Sequence, residues 1–328
     1  MASEPVTSKP WPMGLPRLGL GAAPLGNLYA PLSDTDAADV LEAGTAPRSA
    51  YIDTAPYYGH GLSEQRIGAY LRAHPGRNPM ISTKVGRRLE PCINPPDHGF
   101  ARPAPFKPVF DYSARGVRSA FEQSLDRLGR ASVDLLLLHD IGHDTHGPEH
   151  PATMDLVEQE AWPALLELRA QGLTRAIGFG VNECEIVLEC FERGLVPDAV
   201  LLAGRHTLLD ANAERTGLID RCRELGVTLI AAAPFNSGLL AGGDHFNYVS
   251  APAYVLAATK RLSQICAKFD VPLPAAALQF PLRNPVVASV VAGARTVSEL
   301  RQQTAWLDHP IPVELWRALD EARAEFTL

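Results

Sequence analysis

Cysteine is scarce: there are 5 in 328 residues, scattered at Cys92, Cys184, Cys190, Cys222 and Cys266. An odd set with no CxxC spacing excludes a disulfide framework and a zinc ribbon. Long apolar runs are missing as well. The longest, around 199–203 and 229–233, are strand-sized, far short of the ~18 residues of a membrane span. The stretch 1–14 carries neither the basic nor the apolar region of a signal peptide, so the cytoplasm is the expected compartment and no membrane partner is expected. There is no excess of positive charge. Lys and Arg number 30 against 37 Asp and Glu, a net of −7, which leaves no electrostatic footprint for a nucleic-acid partner. A G-x-G-x-x-G turn is also lacking. The first apolar run leads into Gly19-Leu20-Gly21-Ala22-Ala23, without a third glycine at the right offset, which argues against a doubly wound dinucleotide fold.

What the chain does have is a rhythm. Eight short apolar runs recur at Leu18–Ala22, Ala50–Ala55, Met80–Val85, Val133–His139, Arg175–Phe179, Ala199–Ala203, Thr228–Ala233 and Val287–Ala292. Nearly continuous apolar character fits parallel strands covered on both faces. Amphipathic stretches separate them, several ending at a glycine that stops a helix cheaply: Gly129, Gly172, Gly194 and Gly226. With no linker and no internal repeat, the pattern predicts one α/β domain over residues 1–328, a (β/α)8 TIM barrel. Gly44 and Pro47 predict an early end to the first helix. Two long connections, 87–112 and 140–156, fall at the strand ends where barrels hold substrates.

Titratable residues gather at those ends. Asp53, Tyr57 and Tyr58 follow the second strand, Lys84 ends the third and His139 ends the fourth. Singly, such an Asp can be a cap, such a Lys a solvated terminus and such a His a core residue. Together they supply an acid, a group that tunes it and an orienter. The run 139–150 offers His139, His143 and His146 as metal ligands. Metal-dependent hydrolase barrels need an HxH in the first strand, and 18–22 has none. The run is therefore read as a polar substrate loop, with no metal expected. Phe100, Phe106, Phe110 and Phe246 form either a substrate wall or loop packing.

These residues resemble the aldo-keto reductase superfamily, from Arg17 to about Trp316. The family tetrad of Asp, Tyr, Lys and His falls on Asp53, Tyr58, Lys84 and His139; Tyr57 has the wrong offset. The resemblance implies a nicotinamide cofactor. The Lys84 ammonium would lower the phenol pKa of Tyr58, Asp53 would hold Lys84, and His139 would donate to the reacting oxygen. Asn182 matches the residue on the nicotinamide carboxamide, and His206 stands where relatives place a ring against the nicotinamide. Phe235, Ser237, Gly238 and Leu240 match the pyrophosphate loop, whose bare amides suit an anion. Gly293, Arg295, Glu299 and Gln303 match the adenosine end. Glu299 stands where NADP users have an Arg, so NAD is expected over NADP.

Ala22–Tyr29, Phe110–Ser113, His139–Gly142 and Asn236–Leu240 are similar to the aldose 1-dehydrogenase subgroup (L-fucose or D-threo-aldose type), and pyridoxal 4-dehydrogenase is similar over the same stretches. The implied reaction oxidises a small-molecule cyclic hemiacetal to a lactone. A general NADP-dependent aldehyde reductase and a cofactor-binding regulatory subunit are the alternatives, and the sequence leaves the oligomeric state open.

Overall fold

The computed structural model describes residues 14–46, 50–247 and 249–325. The stretch 1–13, read above for a signal peptide, lies outside them, as do Pro47 and Phe326. The eight apolar runs become the strands Leu18–Gly21, Tyr51–Asp53, Met80–Val85, Val133–His139, Thr174–Val181, Ala199–Ala203, Thr228–Ala232 and Val287–Gly293. Each pairs in parallel with the next, and Leu18–Gly21 pairs with Val287–Gly293 to close the barrel. Closure removes every free strand edge, and successive side chains alternate between lumen and shell. Tyr51, Leu135, Leu137, Ala199, Ile230 and Val291 plug the lumen from inside. Leu41, Ile52, Phe121, Leu136, Ile177 and Val290 join the strands to the helical layer outside. The lumen is thus packed, which leaves the mouth where the strands end as the place for chemistry.

Helix starts follow cap chemistry. Ser33 and Ser113 accept from the backbone N–H of Asp36 and Gly116, opening Asp34–Thr45 and Ala114–Leu128. The first helix does not stop at Gly44. It runs to Thr45, whose hydroxyl donates to the Leu41 carbonyl and lies 3.0 Å from the Tyr70 hydroxyl. These buried contacts outweigh the weak helix propensity of one glycine.

Three further differences bear on the site. The amphipathic stretch Glu214–Leu225, which the sequence reads as one helix, falls in two, Asn212–Arg215 and Leu218–Leu225, split where Gly217 turns left-handed. The amphipathic stretch Val157–Gln171, read from the sequence as a helix closing at Gly172, is preceded by a helix from His150 and passes through a π-turn at Val157–Ala161. The connection 87–112 contains an antiparallel hairpin, Arg87–Pro91 with Phe106–Phe110, which walls one side of the mouth.

Candidate active site

The second strand ends at Asp53, and the chain turns at once through 54–60 into the helix Leu62–Ala73. The turn is clamped to the first strand's loop. A Cβ at Gly26 would meet the Tyr58 backbone carbon at 2.5 Å, so only glycine lets the two loops close. Ser63 donates to the Ala22 carbonyl at 2.8 Å and lies 2.9 Å from the Thr54 hydroxyl, fixing the same turn from the helix side. Tyr58 therefore leaves a rigid support.

On the third strand Ser82 and Lys84 share the inward face, two residues apart. Lys84 is 1% exposed and Asp53 is 2% exposed. Lys84 Nζ donates to both Asp53 oxygens at 2.9 and 2.8 Å, to the Thr54 carbonyl at 2.9 Å and to the Tyr58 hydroxyl at 3.0 Å. Ser82 Oγ donates to Asp53 at 2.6 Å and meets the Tyr51 hydroxyl at 2.8 Å. A buried charge pair survives only when its remaining hydrogen-bond capacity is met, and here it is. Of the two adjacent phenols, Tyr58 takes the ammonium contact; Tyr57 lies instead over the Arg87 guanidinium, 4.2 Å from ring centroid to Cζ.

The expected lowering of the phenol pKa by Lys84 is corrected. Tyr58 is pushed well above the usual tyrosine value, by burial first and by the Asp53 and Asp140 carboxylates next. Burial is the largest cause, and the Lys84 ammonium, although charged, is shared with the Asp53 carboxylate, so its pull on the phenol is offset.

His139 ends the fourth strand, its ring perpendicular to Tyr58 with centroids 6.2 Å apart. Burial holds it neutral, with its pKa pushed down to about 3. Arg87 donates to its Nδ1 at 3.2 Å and to Asp140 at 2.7 Å. Arg87 did not stand out in the sequence, and Asp140 appeared there only as the neighbour of His139, with no role assigned. Arg87 sits one residue past Gly86, inside a loop with no periodicity to read. Ser82 was legible in principle, as a polar residue on the same strand face as Lys84.

A cavity of about 260 Å³ opens at this mouth, lined by Asp140, Asn182, Glu183, Arg205, Asn236 and Ser237 among others. A second, of about 590 Å³, adjoins it at Ser237 and reaches Tyr29, Asp97 and His245. Asn236 is 1% exposed; its Nδ2 donates to the Gly204 carbonyl, while its Oδ1 has no partner. Gln303, 4% exposed, repeats the pattern: Nε2 donates to the Gly293 carbonyl, and Oε1 is unsatisfied. Unsatisfied buried acceptors are costly in a folded protein unless a ligand completes them. Two amide acceptors beyond the ends of the seventh and eighth strands fit the amide and amino donors of a nicotinamide adenine dinucleotide.

Other residues fall differently from expectation. His206 does not line the cavity. Its ring packs on Phe280 at 5.3 Å, and its Nδ1 lies 3.4 Å from Glu214. Gly204, left-handed at φ 73°, turns the chain so that Arg205 faces the cavity instead. The loop 234–240 is not a row of bare amides. The amides of Asn236, Gly238, Leu239 and Leu240 bond to carbonyls within the loop and its entry. Ala233, Asn236 and Ser237 nonetheless hold positive φ values of 53°, 46° and 60°, strain of the kind stored at ligand sites. Phe235 packs edge-on against Trp306, and Leu240 is buried.

At the far end, the Glu299 carboxylate accepts from the Arg295 backbone N–H at 2.8 Å, and the Arg295 guanidinium donates to the Leu28 and Pro31 carbonyls. In the His-rich loop, His146 Nε2 lies 3.0 Å from the Asp140 carbonyl and 3.2 Å from the Tyr112 hydroxyl. Phe100 packs against Tyr57 and Tyr58, and Phe110 covers Arg87. Phe246 packs against the outer helices, and Phe106 stays half-buried in the hairpin.

Comparison with known proteins gives a consistent result. Residues 17–324 match the Aldo/keto reductase family. Pyridoxal 4-dehydrogenase of Microbacterium luteolum is 43% identical, with 92% of each chain covered. D-threo-aldose 1-dehydrogenase of a Pseudomonas species is 39% identical, with 95% of each covered. Among solved structures, the holo form of an aldo-keto reductase from Bacillus halodurans aligns with a TM-score of 0.70 at 26% identity, covering 93% of this chain and 91% of that one.

Proposed function

The chain belongs to the aldo/keto reductase family, and from that premise we propose that it oxidises a cyclic hemiacetal, an aldose, at the anomeric carbon to give a lactone. It is an oxidoreductase acting on CH–OH or aldehyde groups, and its family works with nicotinamide cofactors. The observation that carries the proposal is the meeting of Tyr58, Lys84, Asp53 and His139 at one mouth, beside a cavity lined by Asp140, Asp144, Thr145, Asn182, Glu183 and Arg205. Carboxylates and amides in such number suit a ligand rich in hydroxyls, each of which can donate and accept.

The residues divide the work. Tyr58 takes the proton of the anomeric hydroxyl in the fraction of the enzyme that holds it as phenolate, and as a phenol it returns that proton in the reducing direction. Lys84 gives that oxygen's partner a fixed donor, and Asp53 with Ser82 keeps the ammonium charged and aimed. Neutral His139 donates to the substrate oxygen and orients it. A nicotinamide held at this mouth would supply the hydride acceptor for the carbon bearing that oxygen. Asn182 and Asn236 would hold its carboxamide end, and Gln303 with Glu299 its adenosine end. NAD is the preferred form in this reading, because a carboxylate repels a 2′-phosphate and can accept from a 2′-hydroxyl.

The test is a substrate panel with the purified protein: L-fucose and other aldoses, pyridoxal, and simple aldehydes in the reducing direction. Reduction of NAD by an aldose with higher kcat/KM than pyridoxal supports the proposal. The reverse order would assign pyridoxal as the substrate, consistent with the relative of that name. No turnover of any of them would leave a cofactor-binding module.

A further inference from the structure

Arg87 is the most constrained residue at the mouth that the tetrad does not include. It is 8% exposed. Its guanidinium lies 4.2 Å from the Tyr57 ring centroid and 4.5 Å from that of Phe110, a planar cation between two aromatic faces. One edge donates to Asp140 at 2.7 Å and to His139 Nδ1 at 3.2 Å. The groups around it are held with equal care. Asp140 has a positive φ of 49°, unusual for a residue with a side chain. Tyr112 donates to the His139 carbonyl at 2.7 Å and to the Asp140 carbonyl at 3.1 Å, and His146 lies 3.0 Å from the latter. At Gly86, φ 104°, a Cβ would meet the Tyr112 ring at 2.4 Å, so the chain reaches Arg87 by a glycine-only turn. A strained Asp140, a glycine-only turn and a sandwiched cation converge on one imidazole nitrogen.

A guanidinium has five donors and no acceptor, and it is not deprotonated in proteins. Whatever it contacts must accept. His139 Nδ1 therefore offers its lone pair to Arg87, and the ring hydrogen sits on Nε2. We propose that Arg87 is a positioning residue of the reaction: by donating to His139 Nδ1 it fixes the neutral imidazole in the form whose Nε2–H can donate to the substrate oxygen. This deepens the function proposed above and rests on it for the identity of that oxygen. Asp140 keeps the guanidinium from being an unpaired buried charge, and at 3.5 Å from Nε2 it is too far to take that hydrogen in a strong bond.

The charges facing His139 come from several elements. Arg87 faces it from the hairpin, Asp140 from its own loop and Lys84 from the third strand, while Tyr57 and Tyr58 contact its ring from the turn after the second strand. Burial, Arg87 and Lys84 oppose its protonation, and Asp140 favours it. Without Arg87, one opposing charge is gone and the Asp140 carboxylate is left beside the ring, so protonation becomes easier.

The experiment is ring-nitrogen NMR of histidine-labelled protein, with His139→Gln identifying the signal. In wild type, the His139 ring is expected in the Nε2–H form with no titration between about pH 5 and 8. Arg87→Met should move the His139 titration upward, because one opposing cation is gone, and lower kcat by at least about tenfold, with KM for NAD unchanged. Arg87→Lys keeps a cation and a donor, so it should hold the ring neutral and recover part of kcat. It also covers the case in which Arg87→Met fails to fold.

An Nδ1–H signal in wild type, or a His139 titration unmoved by either substitution, would overturn the proposal. Unchanged kcat in a folded Arg87→Met variant would overturn it too. The NMR arm needs no substrate. A failed substrate panel beside the expected tautomer therefore counts against the hemiacetal reading alone.

Discussion

Whether Tyr58 works as an acid or as a base is decided by which local effect is larger. A lone ammonium at 3.0 Å would pull a phenol below its usual pKa near 10. Burial and the Asp53 and Asp140 carboxylates push the other way and win. In the protein alone Tyr58 should therefore stay a phenol throughout the neutral range. The near-ultraviolet phenolate difference between wild type and Tyr58→Phe should remain flat up to about pH 10; a step with a midpoint near 8 would mean that Lys84 dominates after all. Tyr58→Phe should also cut kcat by roughly 10²–10⁴-fold, the usual cost of losing a general acid or base, while NAD still quenches tryptophan fluorescence. Tyr57→Phe should retain most activity, since the Tyr57 ring lies against Arg87 and its hydroxyl has no contact with Lys84. Asp53, Lys84 and His139 were legible in the sequence because each lies at a strand end, and Tyr58 because its offset from Asp53 matches the tetrad of the family the chain resembles. Their tuning was not, because Arg87 and Asp140 come from loops whose folding no periodicity describes.

The helix Val297–Leu307 carries a fold task beside the ligand task proposed for it. Thr296 accepts from the Glu299 N–H at 3.1 Å, and Glu299 reaches back to the Arg295 N–H at 2.8 Å, a reciprocal cap. Glu299 thus has a structural task besides the one assigned from its position. The two tasks separate by substitution. Glu299→Gln keeps the cap and loses the charge; Glu299→Ala loses both. The alanine variant should be less stable by roughly 0.5–1 kcal/mol in urea melts, and the glutamine variant close to wild type. If the carboxylate governs cofactor choice, wild type should favour NAD over NADP by at least about tenfold in kcat/KM, a difference of ~1.4 kcal/mol. Both variants should then narrow that ratio. An unchanged ratio in Glu299→Gln would leave Glu299 as a cap alone. The strands and most helix ends were readable because apolar runs and caps are local signals. His206 was misplaced because its direction depends on a turn at Gly204 and on Phe280 and Glu214 from distant segments. The hairpin 87–110 was missed because its strands are short and carry Arg87, Arg88, Glu90 and Lys107, so the sequence shows no apolar alternation to read.

Over the whole molecule, the site's demand for a neutral imidazole sets the direction in which acid acts on the fold. His139 is pushed down to about 3 by burial, and burial also depresses His60 and His146 below the usual histidine range. In the unfolded chain all three would titrate near 6.5. Between about pH 6.5 and each depressed value, the unfolded state binds more protons than the folded one, so stability rises with pH across that window. The stabilisation is fully present above pH ~6.5 and is lost as pH falls towards the folded values. For His139 the slope approaches ~1.4 kcal/mol per pH unit once the unfolded histidine is mostly charged. Arg87 and Lys84 add to this cost, because a proton on His139 would face both cations. The urea midpoint should accordingly be steady from about pH 7 to 8 and fall between about pH 6 and 4.5, before the carboxylates begin to titrate strongly. His139→Gln removes one of the three groups and should make that fall shallower without shifting where it starts. An identical pH dependence in the variant would show that His139 titrates in the folded protein as it does in the unfolded chain, with no depression by its surroundings.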